Sequence, residues 1–224
     1  MTSVDASRQA EARREAAPAA LVLLFVFVAL ATVSRLQGWA LLGFPWWAWL
    51  VLGVPALLLT IDLVAAHRAE GFVQTRRAAL VLLALLVAGN AAALLVLVLG
   101  LVTTSTSDLG GGELLLTGFA IYTADVIVFG LIFWELEAGG PLARRGEDKH
   151  RAVDFRFPQD DTPAPWNPRV WDYLYVSVTN AIAFSPTDTM PLSLRAKAVM
   201  GFESALSAVT VLLVAARAVN VLGS

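Results

Sequence analysis

Five long apolar runs constrain this chain more than any other feature of its sequence. Three of the runs contain no Asp, Glu, Lys or Arg, and each of the other two contains a single acid. A helix needs about 20 apolar residues to cross a hydrocarbon core of roughly 30 Å. The runs are apolar all round and lack the alternation of a barrel strand. We therefore predict an all-α integral membrane protein with five transmembrane helices, at Ala16–Ser34, Trp39–Ile61, Ala78–Val102, Leu114–Trp134 and Ala198–Ala216.

Composition narrows the classes of function. Hydrophobic residues make up 58% of the 224 residues and charged residues 15%, whereas a soluble domain is nearer half apolar and a quarter charged. A net charge of −2 gives no electrostatic footprint for nucleic acid. The chain has no cysteine, and its two histidines are far apart in sequence. No nucleophile–base motif or phosphate-binding glycine loop is present. We predict no enzymatic activity, no cofactor, no metal site and no nucleic-acid partner, with the lipid bilayer as the main surroundings.

A sixth segment, Val170–Pro186, is short and polar for a transmembrane helix. It contains Asp172, Ser177, Thr179 and Asn180 within about 17 residues. Segments of that length are more typical of re-entrant or interfacial helices. We predict a short re-entrant helix, and a sixth crossing helix is the alternative.

Basic residues are distributed unequally between the loops. Residues 1–18 hold three Lys or Arg, the 66–78 loop holds three and the 135–169 loop holds six, whereas the alternate loops hold only Arg35. This bias predicts an inner-membrane protein with a cytoplasmic N-terminus.

One stretch of the last third resembles the pore helix and filter of potassium channels. Its sequence, from Tyr173 to Pro191, is Y-L-Y-V-S-V-T-N-A-I-A-F-S-P-T-D-T-M-P. In that family a short helix ends in T-V-G-Y-G-D, and a proline follows the Asp by three residues, as Pro191 does here. The stretch also resembles a group of uncharacterised bacterial multi-pass membrane proteins that share the string from Phe184 to Asp188 and a Trp134-Glu-Leu run. The positions that align with the filter are Ala183, Phe184, Ser185, Pro186, Thr187 and Asp188.

The resemblance covers about residues 113–222 and implies two regions. Residues 1–112 form an N-terminal region with three transmembrane helices, and residues 113–224 form a pore-loop-like module. The resemblance also implies a homo-oligomer, a tetramer if the likeness extends that far, with small cations as partners. Within the module we expect a helix at 114–134, a polar Pro-rich loop at 135–169, a short helix at 170–184, a filter-like turn at 185–191 and a last helix at 192–221.

The filter-like turn departs from the potassium-channel pattern. It has no glycine between Ala183 and Thr189, and Pro186 fixes its own φ and lacks an N–H group. A potassium-type ladder of carbonyls is therefore not expected. Ser185, Thr187 and Asp188 would be the polar lining of any pore, with weak cation preference. The same residues also suit an ordinary proline turn in which Thr187 or Asp188 caps a helix.

Topology leaves a second question open. A potassium-channel filter loop enters from outside, but the basic residues place the 135–169 loop inside. The pore could be inverted, as in ionotropic glutamate receptors. Alternatively the sixth segment crosses fully, or the charge rule fails for this chain.

Two predicted spans carry acids, and a charge inside a span is costly. Asp125 could bind a cation, relay protons or pair with Asn90 of a neighbouring helix. Glu203, Ser207 and Thr210 share one face of the last helix, where they could line a pore or simply pack.

The function that we predict from these patterns is channel-like, a weakly selective cation channel with a filter unlike that of potassium channels. One alternative is a non-transporting membrane subunit or scaffold that docks through the Pro-rich loop. The other is a proton-coupled transporter that uses Asp125 and Glu203.

Overall fold

The computed structural model is almost entirely helical and confirms the predicted all-α membrane fold. It describes residues 14–39, 43–65, 76–102, 111–141, 153–163, 166–186 and 188–222. The helices are α1 (Ala17–Gln37), α2 (Trp46–Leu52), α3 (Val54–Ala65), α4 (Arg76–Val102), α5 (Gly111–Leu136), α6 (Val170–Ala183) and α7 (Leu194–Leu222).

Four described helices, α1, α4, α5 and α7, are each long and apolar enough to cross a bilayer. The pair α2 and α3 is the fifth candidate span, and it is bent by 43° at Gly53. A kink in the helix expected over Trp39–Ile61 is predicted by Pro55. A Cβ atom at Gly53 would lie 2.9 Å from the Cβ of Phe27, so the glycine allows α1 to pack closely against the bend.

Helix α5 is the centre of the fold. It packs against α1, α4, α6 and α7. Residues 124–131 are all buried, because neighbouring helices surround this part of α5 on every side. One hydrophobic core therefore includes residues from both predicted regions of the chain.

A small folded cap covers one end of the helices. Helix α5 ends at Leu136, and a 3-10 turn follows at Glu137–Gly139. Strand β1 (Phe155–Arg156) pairs antiparallel with β2 (Met190–Pro191), with Phe155 opposite Pro191. A second 3-10 helix lies at Pro158–Asp161. The predicted Pro-rich loop thus contains regular structure, and the filter-like turn ends in a strand.

Helices α6 and α7 begin at the same end of the molecule. Phe155 contacts Tyr173 in the first turn of α6, with ring centroids 6.1 Å apart, and it also pairs with Pro191 just before α7. Further along, the Asn180 side chain of α6 donates to the Met200 carbonyl of α7 at 3.0 Å. Both helices therefore run in the same direction away from the strands. The chain must return between Ala183 and Met190, so α6 is re-entrant and is not a sixth span.

The ends of two other helices lie beside this entry point. The Arg76 guanidinium, at the start of α4, donates through Nε to the Glu135 carbonyl near the end of α5 at 2.9 Å. Gly140 has φ +101° and packs against the Arg76 side chain, where a Cβ atom would lie 3.2 Å from its Cδ. The start of α4, the end of α5 and the starts of α6 and α7 thus share one face of the membrane.

The re-entrant geometry can be tested by labelling, because the chain has no native cysteine. Cysteines placed at Gln159, before α6, and at Leu192, after the return, should react with an impermeant maleimide from the same face. A cysteine at Gln37, at the far end of α1, should react from the opposite face. Labelling of Gln159→Cys and Leu192→Cys from opposite faces would show that α6 crosses the membrane.

Candidate functional site

The turn that follows α6, residues 183–188, is the most unusual part of the molecule. Phe184 ends the helix in the left-handed conformation, with φ +55°. Residues 183–186 and Asp188 are exposed, and Thr187 lies outside the described residues. The Ser185 hydroxyl donates to the Ala183 carbonyl at 3.3 Å. We call this segment the polar turn, and it contains all six of the predicted filter positions.

The position of the polar turn makes its exposure significant. Ala183 lies 13 residues beyond Val170, which corresponds to about 20 Å of helix. The first part of the turn, beside Ala183, is therefore placed well inside a hydrocarbon layer of roughly 30 Å if α6 begins at its surface. Irregular backbone at that depth is tolerated only where protein or water covers it. The described part of this chain does not cover the turn.

Three polar side chains fasten α6 to its neighbours. The Glu203 carboxyl of α7 is fully buried and accepts a hydrogen bond from the Asn180 side chain at 2.5 Å. The Ser177 hydroxyl contacts the same carboxyl and also the Val126 carbonyl of α5, the latter at 2.7 Å. Asn180 uses its second N–H on the Met200 carbonyl, and its oxygen accepts from Ser204 at 3.1 Å. These contacts set the angle at which α6 enters the helical bundle.

The two contacts of Ser177 share one hydroxyl proton. A hydroxyl carries one proton, so Ser177 cannot donate to both Val126 and Glu203. Both contacts are hydrogen bonds only in the arrangement in which the Glu203 carboxyl carries a proton and donates it to Ser177, which in turn donates to Val126. In that arrangement Glu203 is a neutral acid inside the protein.

The second intramembrane acid, Asp125, lies on α5 and is also buried, with 1% of its surface exposed. The Asn90 amide of α4 donates to its Oδ1 atom at 3.0 Å, which is the pairing with a neighbouring helix that the sequence allowed. Its Oδ2 atom has no hydrogen-bond partner among the described residues. Asp125 and Glu203 are close enough to interact electrostatically. We call Asn90, Asp125, Ser177, Asn180, Glu203 and Ser207 the buried polar cluster.

The predicted pore-lining face of the last helix lies inside the chain and not on its surface. Glu203, Ser207 and Thr210 do share one face of α7, but each is at most 1% exposed. That face packs against the other helices of the same chain. Within one chain these three side chains are therefore covered by protein, and their role as pore lining stays a prediction. Among the described site residues, those of the polar turn are exposed.

Sequence reasoning missed an ion pair in the cap. Asp154, which is 1% exposed, accepts two hydrogen bonds from the half-exposed guanidinium of Arg195, at 2.6 and 2.5 Å. The Ser193 hydroxyl adds a third at 2.5 Å, and the Ala138 amide a fourth at 3.2 Å. This group, which we call the Asp154 clamp, joins the loop before α6 to the end of α5 and the start of α7.

Glu137 and a group of aromatic side chains support the clamp. The Glu137 carboxylate accepts the amides of Asp154 and Phe155, at 3.2 and 2.8 Å. Phe157 contacts Trp166 and Tyr173, with ring centroids 5.1 and 5.4 Å away. The signal for this packing was the alternation in Val153-Asp-Phe-Arg-Phe157, which places Phe155 and Phe157 on one side of a short strand.

The clamp determines the charge of Asp154. Burial alone raises the pKa of this carboxyl, but hydrogen bonds from Arg195 and Ser193, the positive charge of Arg195 and the Ala138 amide outweigh it. The pKa is therefore lower than that of a free aspartate. Asp154 is ionised at neutral pH and holds its partners as an anion.

Comparison with known proteins adds nothing to this site, since no protein-family model, curated protein or solved structure matches the chain. Within the described ranges, no three His, Cys, Asp or Glu side chains are grouped so that they could hold a metal ion.

Replacing Asp154 should weaken the fold in a pH-dependent way. Asp154→Asn removes a buried charged acceptor and should cost about 1.5–3 kcal/mol, because each hydrogen bond to a charged group contributes on that scale. The folded-state pKa is lowered, so this stabilisation is present at neutral pH and is lost as the pH falls below about 4. Thermal unfolding in detergent should show a gap between wild type and variant that closes on acidification.

The matched control is Asp161→Asn. Asp161 pairs with Arg156 at 2.6 Å, but both side chains are more than half exposed, so its loss should change stability far less than Asp154→Asn does. Equal effects of the two variants, or a gap that does not depend on pH, would contradict the role assigned to the clamp.

Proposed function

We propose that this protein is a channel-like membrane protein that conducts small cations with weak selectivity through an assembly of identical chains. It would lie in the inner membrane with its N-terminus in the cytoplasm, in agreement with the distribution of Lys and Arg. The re-entrant helix would then enter from the cytoplasmic face, which is the inverted orientation of the pore loop.

The exposed polar turn is the observation that carries this proposal. The Ser185 hydroxyl, and the backbone outside helix or strand at residues 183–186, need water or protein around them at the depth that α6 reaches. Several copies that meet around a water-filled path would supply both. A turn that faced lipid would place this irregular backbone in hydrocarbon, which offers no hydrogen-bond partner.

The outer face of α6 supports assembly. Trp171, Tyr175, Val178 and Ile182 follow one another at helical spacing and are each between 38% and 64% exposed. Apolar side chains beside a polar turn suit contact with a neighbouring copy, which would place the turns together around one axis. Four copies would follow from the resemblance to potassium channels.

Weak selectivity follows from the chemistry of the turn. Pro186 lacks an amide and restricts the backbone, so stacked carbonyls are not expected to replace the hydration shell of an ion. Asp188 is exposed and would attract cations without removing all of their water.

Ion flux in liposomes tests this function. The purified protein should pass K⁺ and Na⁺ at similar rates and Cl⁻ more slowly. Asp188→Asn should lower the preference for cations several-fold, because it removes the carboxylate from the path. Asp161→Asn, which changes an exposed acid of the cap, should leave the preference unchanged. Absence of flux above protein-free liposomes, or identical ion preference in all three proteins, would refute the proposal.

A second candidate, a proton-coupled carrier, is supported by the arrangement in which a proton on Glu203 satisfies both contacts of Ser177. Glu203→Gln keeps the hydrogen bond from Asn180 but removes the exchangeable proton. A carrier that uses this group should lose pH-driven uptake in the variant, whereas a channel should retain its passive flux. Measuring both rates in the same liposomes separates the two candidates.

A further inference from the structure

Two buried oxygen atoms in the polar cluster have no role in the contacts described above. Ser207 Oγ is fully buried, and Asp125 Oδ2 belongs to a side chain that is 1% exposed. Neither atom has a hydrogen-bond partner among the described residues. Buried polar atoms are almost always paired, so two such atoms in one part of a structure point to something that binds between them.

The packing of α5 against α7 places the two residues at the same depth. The helices are antiparallel, because Val126 lies beside Ser177 and Glu203, while a side chain at Gly118 would collide with Val214. Ser207 is one turn beyond Glu203 on the same face of α7. That register sets Ser207 at the level between Tyr122 and Asp125. Since α4 contacts both α5 and α7, the two oxygens belong to one interior region formed by three helices.

No basic side chain among the described residues lies in this region. The basic residues whose side chains are described are Arg14, Arg35, Arg76, Arg77, Arg156, Arg169, Arg195 and Lys197, and each lies outside the helices or within a turn of a helix end. None of them is at the depth of Asp125. A carboxyl group in an apolar interior is either protonated or paired with a positive charge, because an isolated carboxylate there is costly.

We propose that Asp125 and Ser207 bind one small monovalent cation, with Na⁺ as the best fit, between α4, α5 and α7. The available ligands are oxygens, which favours a hard cation. The oxygens of Glu203 are already engaged by Ser177 and Asn180, so Asp125 provides a single carboxylate charge, and that matches a single positive charge. Water completes the coordination. The site lies within one chain and does not depend on conduction through the polar turn.

Thermal unfolding of the purified full-length protein in detergent tests the site, with Na⁺ as the probe. NaCl replaces choline chloride at constant ionic strength and constant pH, so that only the cation changes. A ligand that binds the folded state raises the unfolding temperature with its concentration. We expect the wild type to show this rise with Na⁺, and we expect both Asp125→Asn and Ser207→Ala to lose it.

Thr123→Val is the matched control, since the Thr123 hydroxyl is bonded to the Phe119 carbonyl of its own helix at 2.8 Å. It should retain the wild-type dependence on Na⁺. If Asp125→Asn does not fold, Ser207→Ala carries the test, because it leaves the carboxylate and its bond to Asn90 in place. An unfolding temperature that is insensitive to Na⁺ in the wild type overturns the proposal. A Na⁺ response that persists in both variants also overturns it. So does an unfolding temperature that rises on acidification in choline chloride but not with Na⁺, because a proton would then occupy the site.

Discussion

Hydrocarbon offers no hydrogen-bond partner, so every amide, carbonyl and polar side chain that enters a bilayer must be satisfied by protein or by water. Four long helices of this chain meet the requirement, and the pair α2 and α3 meets it as two helices with a 43° bend between them. The re-entrant segment meets it only in part. Helix α6 satisfies its own backbone for 14 residues, and the exposed turn that follows needs water or a neighbouring chain around it. The channel-like function that we propose depends on that requirement.

The re-entrant helix is held at two levels. At the membrane face, the Asp154 clamp and its aromatic neighbours fix the loop before α6 and the start of α7 to the end of α5. Deeper in the bundle, Glu203 draws Ser177 and Asn180 of α6 against α7. The attachment at the membrane face is an ion pair in which Arg195 is half exposed to water. The deeper attachment is a buried set of contacts to the Glu203 carboxyl. The polar turn joins the end of α6 to strand β2, so these attachments and the pairing of β2 with β1 set the positions of its two ends.

The membrane fold could be predicted from sequence because uncharged runs of this length have few other uses. The short polar segment before Pro186 also predicted a re-entrant helix, although length alone could not exclude a crossing. Sequence could not determine what faced Glu203, Ser207 and Thr210. A polar face on a helix has the same sequence pattern whether it contacts water or polar side chains such as Ser177 and Asn180 of α6. The Asp154 clamp was missed because its members lie 41 residues apart, and no local pattern joins them.

A channel-like function requires the polar turn to face water inside the membrane. A single cysteine at Ser185, in a chain that otherwise has none, measures this directly through its rate of reaction with a small, charged methanethiosulfonate reagent in liposomes. A cysteine at Phe25, which is 69% exposed on the outer face of α1, supplies the rate for a lipid-facing position. We expect Ser185→Cys to react at a rate near that of an aqueous thiol and Phe25→Cys to be almost inert. Equal, slow reaction at both positions would show that the turn is sealed from water, and the channel-like function would be wrong.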